Sequence, residues 1–238
     1  MNIFRKLAKQ FIFDHDLRDY ENKDIIKEVK KKNKDSIILD AGCGSGLLLY
    51  KFYKEGYQNL HGIDLNPENV KIASDYNLFD IKLGNILETG YENNKFDVII
   101  CSHVLQVFDA DKAFNLFKEL GRILKPDGLL VIVTLNDFKR FFRHPENCRP
   151  YPPDSIFRLI STNTTKNSAP IKDLDVNFPN LKYLKLWKRY NPIINIESRD
   201  NALINKVGIL LNTIQYVSKL VNPFSYNAYI IYLKKLKF

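Results

Sequence analysis

From residue 36 onward the chain alternates two hydrophobic patterns. Short continuous apolar runs recur at SIILD (36–40), NLHGIDL (59–65), FDIKLGNI (79–86), FDVIICS (96–102) and LLVIVTL (129–135). Runs of this length predict strands buried on both faces. Between them lie stretches of helical spacing: 46–55, stopped by Gly56, then 66–76 and 111–124. The second of these opens on Asn66-Pro67-Glu68. Asn caps a helix, Pro fits its first turn, and an acid sits well at the positive end of the dipole. Lys125-Pro126-Asp127-Gly128 reads as a turn. Strands separated by helices predict βαβ units in a parallel sheet, with ligands at the C-terminal ends of the strands.

The flanks follow a different pattern. Residues 4–12 and 17–32 predict two amphipathic helices, and KKKNKD (30–35) breaks to the surface. Beyond residue 135, YPPDSIFRLIS (151–161) predicts a helix entered through a proline turn. A polar loop follows over 161–170. A strand is expected around Tyr183–Leu186, helical periodicity over 201–221, and a strand rich in aromatic and β-branched residues over 224–235.

Composition narrows the class. The chain has 238 residues, enough for one substantial domain with an elaboration. No apolar run reaches the roughly 18 residues a membrane span needs. MNIFRKLAKQFIF (1–13) carries charges where a signal peptide is apolar. Cys43, Cys101 and Cys148 are too scattered for a disulfide framework or a zinc site, and no other cluster has metal-ligand spacing. The expectation is a reduced, cytoplasmic protein without a metal. The net charge of +9 is uneven: residues 1–150 carry 23 Lys/Arg against 22 Asp/Glu, and residues 166–238 carry 12 against 4. The basic last third admits an anionic partner, whether nucleic acid or a membrane surface. Its lysines are spread singly, which equally describes a solvated face.

The chemistry concentrates in LDAGCGSGLL (39–48), which follows the first strand. A strand–GxGxG–helix turn brings bare backbone up to a ligand. Asp64, eighteen residues after Gly46, ends the second strand. A carboxylate there accepts from both hydroxyls of a ribose, which suits NAD and S-adenosylmethionine alike. Two features favour the latter. Leu47 replaces the last glycine of the dinucleotide fingerprint, and Asp40 would repel a pyrophosphate while suiting a ligand with an ammonium group.

The set LDAGCGSG (39–46), GIDLNPENVKIA (62–73), GNI (84–86), FDVIICSHVLQVF (96–108) and KPDGLLVIV (125–133) resembles the class I S-adenosylmethionine-dependent methyltransferases. The pieces come in family order and spacing over about residues 35–135. The resemblance implies an α/β, Rossmann-like, seven-stranded, mostly parallel sheet whose last strand, 224–235, is antiparallel. The expected organisation is an N-terminal helical cap over 1–35 and a methyltransferase domain over 36–238, with a cofactor-binding core (36–135), a substrate-side elaboration (136–223) that includes a helical insertion, and the final strand; residues 1–35 and 136–223 lie outside the resemblance. Asp40, Gly42, Cys43, Gly44 and Gly46 would wall the methionine part of S-adenosylmethionine. Asp64 would hold the ribose, with Leu65 against the adenine. Asn85 stands where relatives often carry Asp, Ile86 would pack on the ring, and Cys101 would approach the amino-acid end through its backbone.

Methyl transfer needs an aligned nucleophile and, for a hydroxyl, a proton acceptor. His103 follows the fourth strand and is a candidate base, or a histidine packed on the next helix. His144 is a second candidate. Gln106 replaces the His or Glu of many relatives near the acceptor. Arg143, Arg149 and Tyr151 lie with His144 in FFRHPENCRPYPP (141–153) and either grip an anionic substrate or form a basic loop packed by its own aromatics. A small-molecule acceptor is expected, such as a sugar or lipid-linked metabolite. RNA or protein methylation, a non-catalytic partner subunit and a nicotinamide oxidoreductase are the alternatives. Peripheral membrane contact through 4–12 and 201–221 is a further expectation, set against helices closing over a buried site.

Overall fold

The structure, a computed structural model, describes residues 19–135, 141–142, 144–160, 181–192 and 221–237. The helices expected over 4–12 and 201–221, the loop over 161–170 and Arg143 lie outside them. Within this range, seven strands form one sheet in the order β3-β2-β1-β4-β5-β7-β6. They are β1 (Ile38–Ala41), β2 (Leu60–Asp64), β3 (Asp80–Leu83), β4 (Phe96–Ser102), β5 (Leu124–Leu135), β6 (Leu181–Pro192) and β7 (Val221–Lys235). Neighbours from β3 to β5 are parallel, whereas β7 runs antiparallel to both β5 and β6. The expected Rossmann-like sheet with an antiparallel last strand is therefore present.

Helices cover both faces. On one face lie α1 (Asp19–Val29) and α2 (Leu47–Lys54), and a further helix, α3 (Pro67–Ser74), links β2 to β3. Ile25 and Val29 of α1 join Leu49 and Phe52 of α2 in a core against Ile38, Val98, Ile100 and Val131. Thus α1, inside the segment expected as a cap, shares the sheet's core. The Tyr57 hydroxyl donates to Val29 O (2.7 Å) and the Tyr232 hydroxyl to Asp24 O (3.1 Å), tying α1 down. On the other face α4 (Ala110–Ile123) and α5 (Pro153–Ile160) bury Leu116, Phe117, Leu120 and Ile156 against Leu39, Ile99 and Ile132. Burying each such side chain contributes on the order of 2–3 kcal/mol. Among the described residues, no helix is long and apolar enough to cross a membrane.

Three expected boundaries change. The third strand ends at Leu83 rather than residue 86. There the Asn85 side chain accepts Leu87 N–H (3.0 Å), and this Asx turn takes the chain off the sheet edge. The turn at 125–128 is a bulge inside β5: Phe96 pairs with Leu124, but Val98 pairs with Leu129. Asp127 stands there at φ 63 and holds Lys234 (2.9 Å) and Lys237 (2.7 Å). The strand expected around 183–186 extends over 181–192, because β7 supplies its partner.

Candidate active site

Three left-handed glycines, Gly42 (φ 86), Gly44 (φ 52) and Gly46 (φ 80), form the loop between β1 and α2. Gly42 N–H and Cys43 N–H both donate to Ile63 O (2.8 and 3.1 Å), stitching the loop to β2. A Cβ on Gly42 would run into Val104 Cγ2, and one on Gly46 would press on Ala73. A Cβ on Gly44 would meet nothing within 4 Å. Gly42 and Gly46 are thus required by packing as well as conformation. Gly44 leaves space above the loop.

Asp64 closes that space from the side. Its two carboxylate oxygens accept Gly44 N–H (2.8 Å) and Asn66 N–H (2.9 Å), so it bridges the glycine loop and the start of α3. Asn66 then caps α3 by accepting from Glu68 N–H (2.9 Å) and Asn69 N–H (3.3 Å). Each oxygen of Asp64 keeps a lone pair for a ligand hydroxyl. Leu65, beside it, is 72% exposed, an unusual position for a leucine and a ready apolar platform. Ile86 is buried, and Asn85 is exposed with a lone pair of its Oδ1 remaining.

The electrostatics are one-sided. Asp40 is buried at the end of β1, and burial, then the nearby Asp64, push its pKa up to about 7. Burial holds the thiols of Cys43 and Cys101 far above the ordinary range, reinforced by Asp40 and Asp64 at Cys43 and by Asp40 at Cys101. Among the described residues, no cationic side chain pairs with Asp40 or Asp64. The cradle is therefore a pair of carboxylates beneath open space, flanked by an apolar platform. It suits a ligand carrying positive charge, a ribose and an aromatic ring, and opposes a pyrophosphate.

The acceptor side begins after β4. His103 adopts φ 59, and its N–H donates to Val133 O (2.9 Å). A 3₁₀ turn, Leu105–Val107, follows. The segment 144–151 is strapped onto this turn: Cys148 N–H and Arg149 N–H donate to Gln106 O (2.8 and 3.3 Å), and the Tyr151 hydroxyl to Phe108 O (3.0 Å). Gln106 and Tyr151 are buried, so both enter as packing groups rather than as an open substrate surface. Arg149 lies over the Tyr151 ring (5.1 Å). His144 is exposed and pairs with Glu146 (3.1 Å). Cys101 is fully buried in the core, its thiol within reach of the Asp40 charge. Val104, the side chain wedged against Gly42, is absent from the sequence reading; an apolar residue there signals only core. No group of three or more His, Cys, Asp or Glu side chains is placed to hold a metal among the described residues.

Residues 39–132 match the family described as a methyltransferase domain. A ubiquinone biosynthesis O-methyltransferase of Rickettsia bellii is 30% identical over 183 residues, 67% of this chain and 75% of that protein. The chain is an S-adenosylmethionine-dependent methyltransferase. An enzyme of the same name from Rickettsia typhi is 29% identical over 74% of this chain and 77% of its own length. The crystal structure of an S-adenosylmethionine-dependent methyltransferase from Archaeoglobus fulgidus shares the fold, with a TM-score of 0.63 at 18% identity, covering 95% of this chain and 99% of that one. The cradle fits the methyltransferase's cofactor on its own terms. S-adenosylmethionine carries a sulfonium and an ammonium, which Asp40 and Asp64 would complement, while exposed Leu65 and the space above Gly44 would accommodate its flat and narrow parts.

Proposed function

We propose that this methyltransferase modifies a small-molecule acceptor at oxygen or nitrogen, with His103 taking the proton of a hydroxyl acceptor. One observation supports the reading: the strap 144–151 docks on the turn after β4, beside the cofactor loop, and buries Gln106 and Tyr151 there. Two curated relatives named as ubiquinone biosynthesis O-methyltransferases support the same class of acceptor. The cofactor supplies an electrophilic methyl group. The chain's part is to hold the nucleophile in line, exclude water and remove a proton. His103 stands at the C-terminal end of β4 with a positive φ, a conformation uncommon among residues other than glycine. Such positions persist where the surroundings over-determine them, and they concentrate at functional sites.

The test measures S-adenosylhomocysteine release with panels of small phenols, alcohols and amines, beside total RNA and a protein extract. Turnover with a small acceptor, lowered about 100-fold or more by His103→Ala at unchanged cofactor affinity, is the expected result. Turnover with RNA or protein alone would overturn the acceptor class.

A further inference from the structure

We propose that Gln106 is the positioning residue of the acceptor side, holding the turn that carries His103 between the cofactor loop and the strap. This rests on the reading of His103 as the proton acceptor. The Gln106 Nε2 donates to His103 O at 2.7 Å. Together with the bond from His103 N–H to Val133 O, it clamps the residue from both backbone sides. A left-handed histidine is disfavoured on its own, so a double clamp of this kind is what keeps it in place.

The strap docks on the same turn through main-chain bonds: the backbone carbonyl of Gln106 accepts the N–H groups of Cys148 and Arg149. Val104, next to His103, packs where any side chain on Gly42 would have to go. Gln106 thus holds the left-handed turn through its side chain and the strap through its backbone, one residue beyond the 3₁₀ turn's start and close to the cofactor loop's packing partner. Its titratable and charged neighbours on these elements are His103, Cys148 and Arg149.

The side chain is a poor choice for packing alone. Gln106 is 4% exposed, and its Oε1 has no hydrogen-bond partner among the described residues. A buried amide with one unmet oxygen is costly, and leucine would fill a similar volume without that cost. The polar group stays because its nitrogen sets the geometry of His103.

The test compares Gln106→Leu and Gln106→Glu with wild type. Leucine removes one made bond together with one unmet acceptor, so the melting temperature is expected within about 3 °C of wild type. S-adenosylmethionine affinity, by calorimetry, is expected to change by less than about threefold, because the carboxylate cradle is untouched. The imidazole NMR signals of His103 are expected to move while those of His61 and His144 stay. With the acceptor identified above, kcat is expected to fall about tenfold or more at constant KM.

Glutamate provides the rescue. It donates to His103 O only when protonated, so, compared with wild type at each pH, the variant's signals and turnover are expected to match most closely at low pH and to diverge as pH rises. Unmoved His103 signals in the leucine variant overturn the proposal, as does equal movement of the His61 and His144 signals. If the signals move but His103→Ala retains full turnover, the positioning role stands and the base assignment falls.

Discussion

At the scale of the residue, Asp40 sets the most consequential balance. A carboxylate buried without a cation favours its protonated form, and the nearby Asp64 adds to this. Its pKa of about 7 lies above the 3.8 of the unfolded chain. Between these values the native state holds a proton that the unfolded state has released. Stability of the ligand-free protein is therefore expected to fall as pH rises from about 4 to about 7, by at most on the order of 4 kcal/mol. Asp40→Asn removes that cost, so its melting temperature at pH 8 is expected to exceed wild type in scanning calorimetry. The same substitution weakens S-adenosylmethionine binding. In wild type a cationic ligand favours the ionised carboxylate, so binding releases protons near neutral pH. Titration calorimetry in buffers of different ionisation enthalpy measures this, and identical heats in both would contradict it. Asp64→Ala is expected to weaken binding about 10- to 100-fold, the worth of charge-assisted hydrogen bonds lost from a ligand.

At the scale of the element, the glycine loop separates two demands. Gly42→Ala meets both a left-handed φ and the Val104 side chain, so a loss of about 2–3 kcal/mol in denaturant unfolding is expected. Gly44→Ala meets only the conformational cost, about 1 kcal/mol, but places a methyl in the cofactor's space. It is expected to fold and to bind S-adenosylmethionine poorly. On the strap, Cys148 is exposed while Cys43 and Cys101 are buried with raised thiol pKa values. One thiol of the three in the described structure should therefore react with maleimide before denaturation. The label should block methyl transfer and spare cofactor affinity. This division of elements explains what the sequence disclosed. The glycine loop, Asp64 and the cap at Asn66 are local signals, each spelled in a few adjacent residues. The burial of Gln106 and Tyr151 comes from the docking of the strap 144–151 on a turn some 40 residues earlier, and no local pattern encodes it. The short β3 was overread because an edge strand with exposed side chains lacks the apolar contrast that ends a buried one.

At the scale of the whole molecule, the last strand holds distant parts together. Lys235 Nζ donates to Asn94 Oδ1, Gly121 O and Leu124 O, each at 2.8 Å, where α4 passes into β5. Lys185 reaches Glu28 of α1, so β6 is also fastened to the opposite end of the described chain. Lys235→Met is expected to lower the melting temperature by about 3–8 °C, since three carbonyl acceptors lose their donor, with cofactor affinity retained. Circular dichroism of the variant and wild type measures it.

The place of β7 in the sheet has a consequence in time. It is the last strand in sequence but lies between β5 and β6 in space. During synthesis at about 5–20 residues per second, β5 and β6 emerge first and have no strand to join them. Until residues 221–235 leave the ribosome, the nascent chain presents a bare, apolar edge at Leu129–Leu135. A message cut short near residue 220 would release a polypeptide with its nucleotide cradle encoded in full and its sheet unsealed, a species fit for aggregation or degradation rather than catalysis.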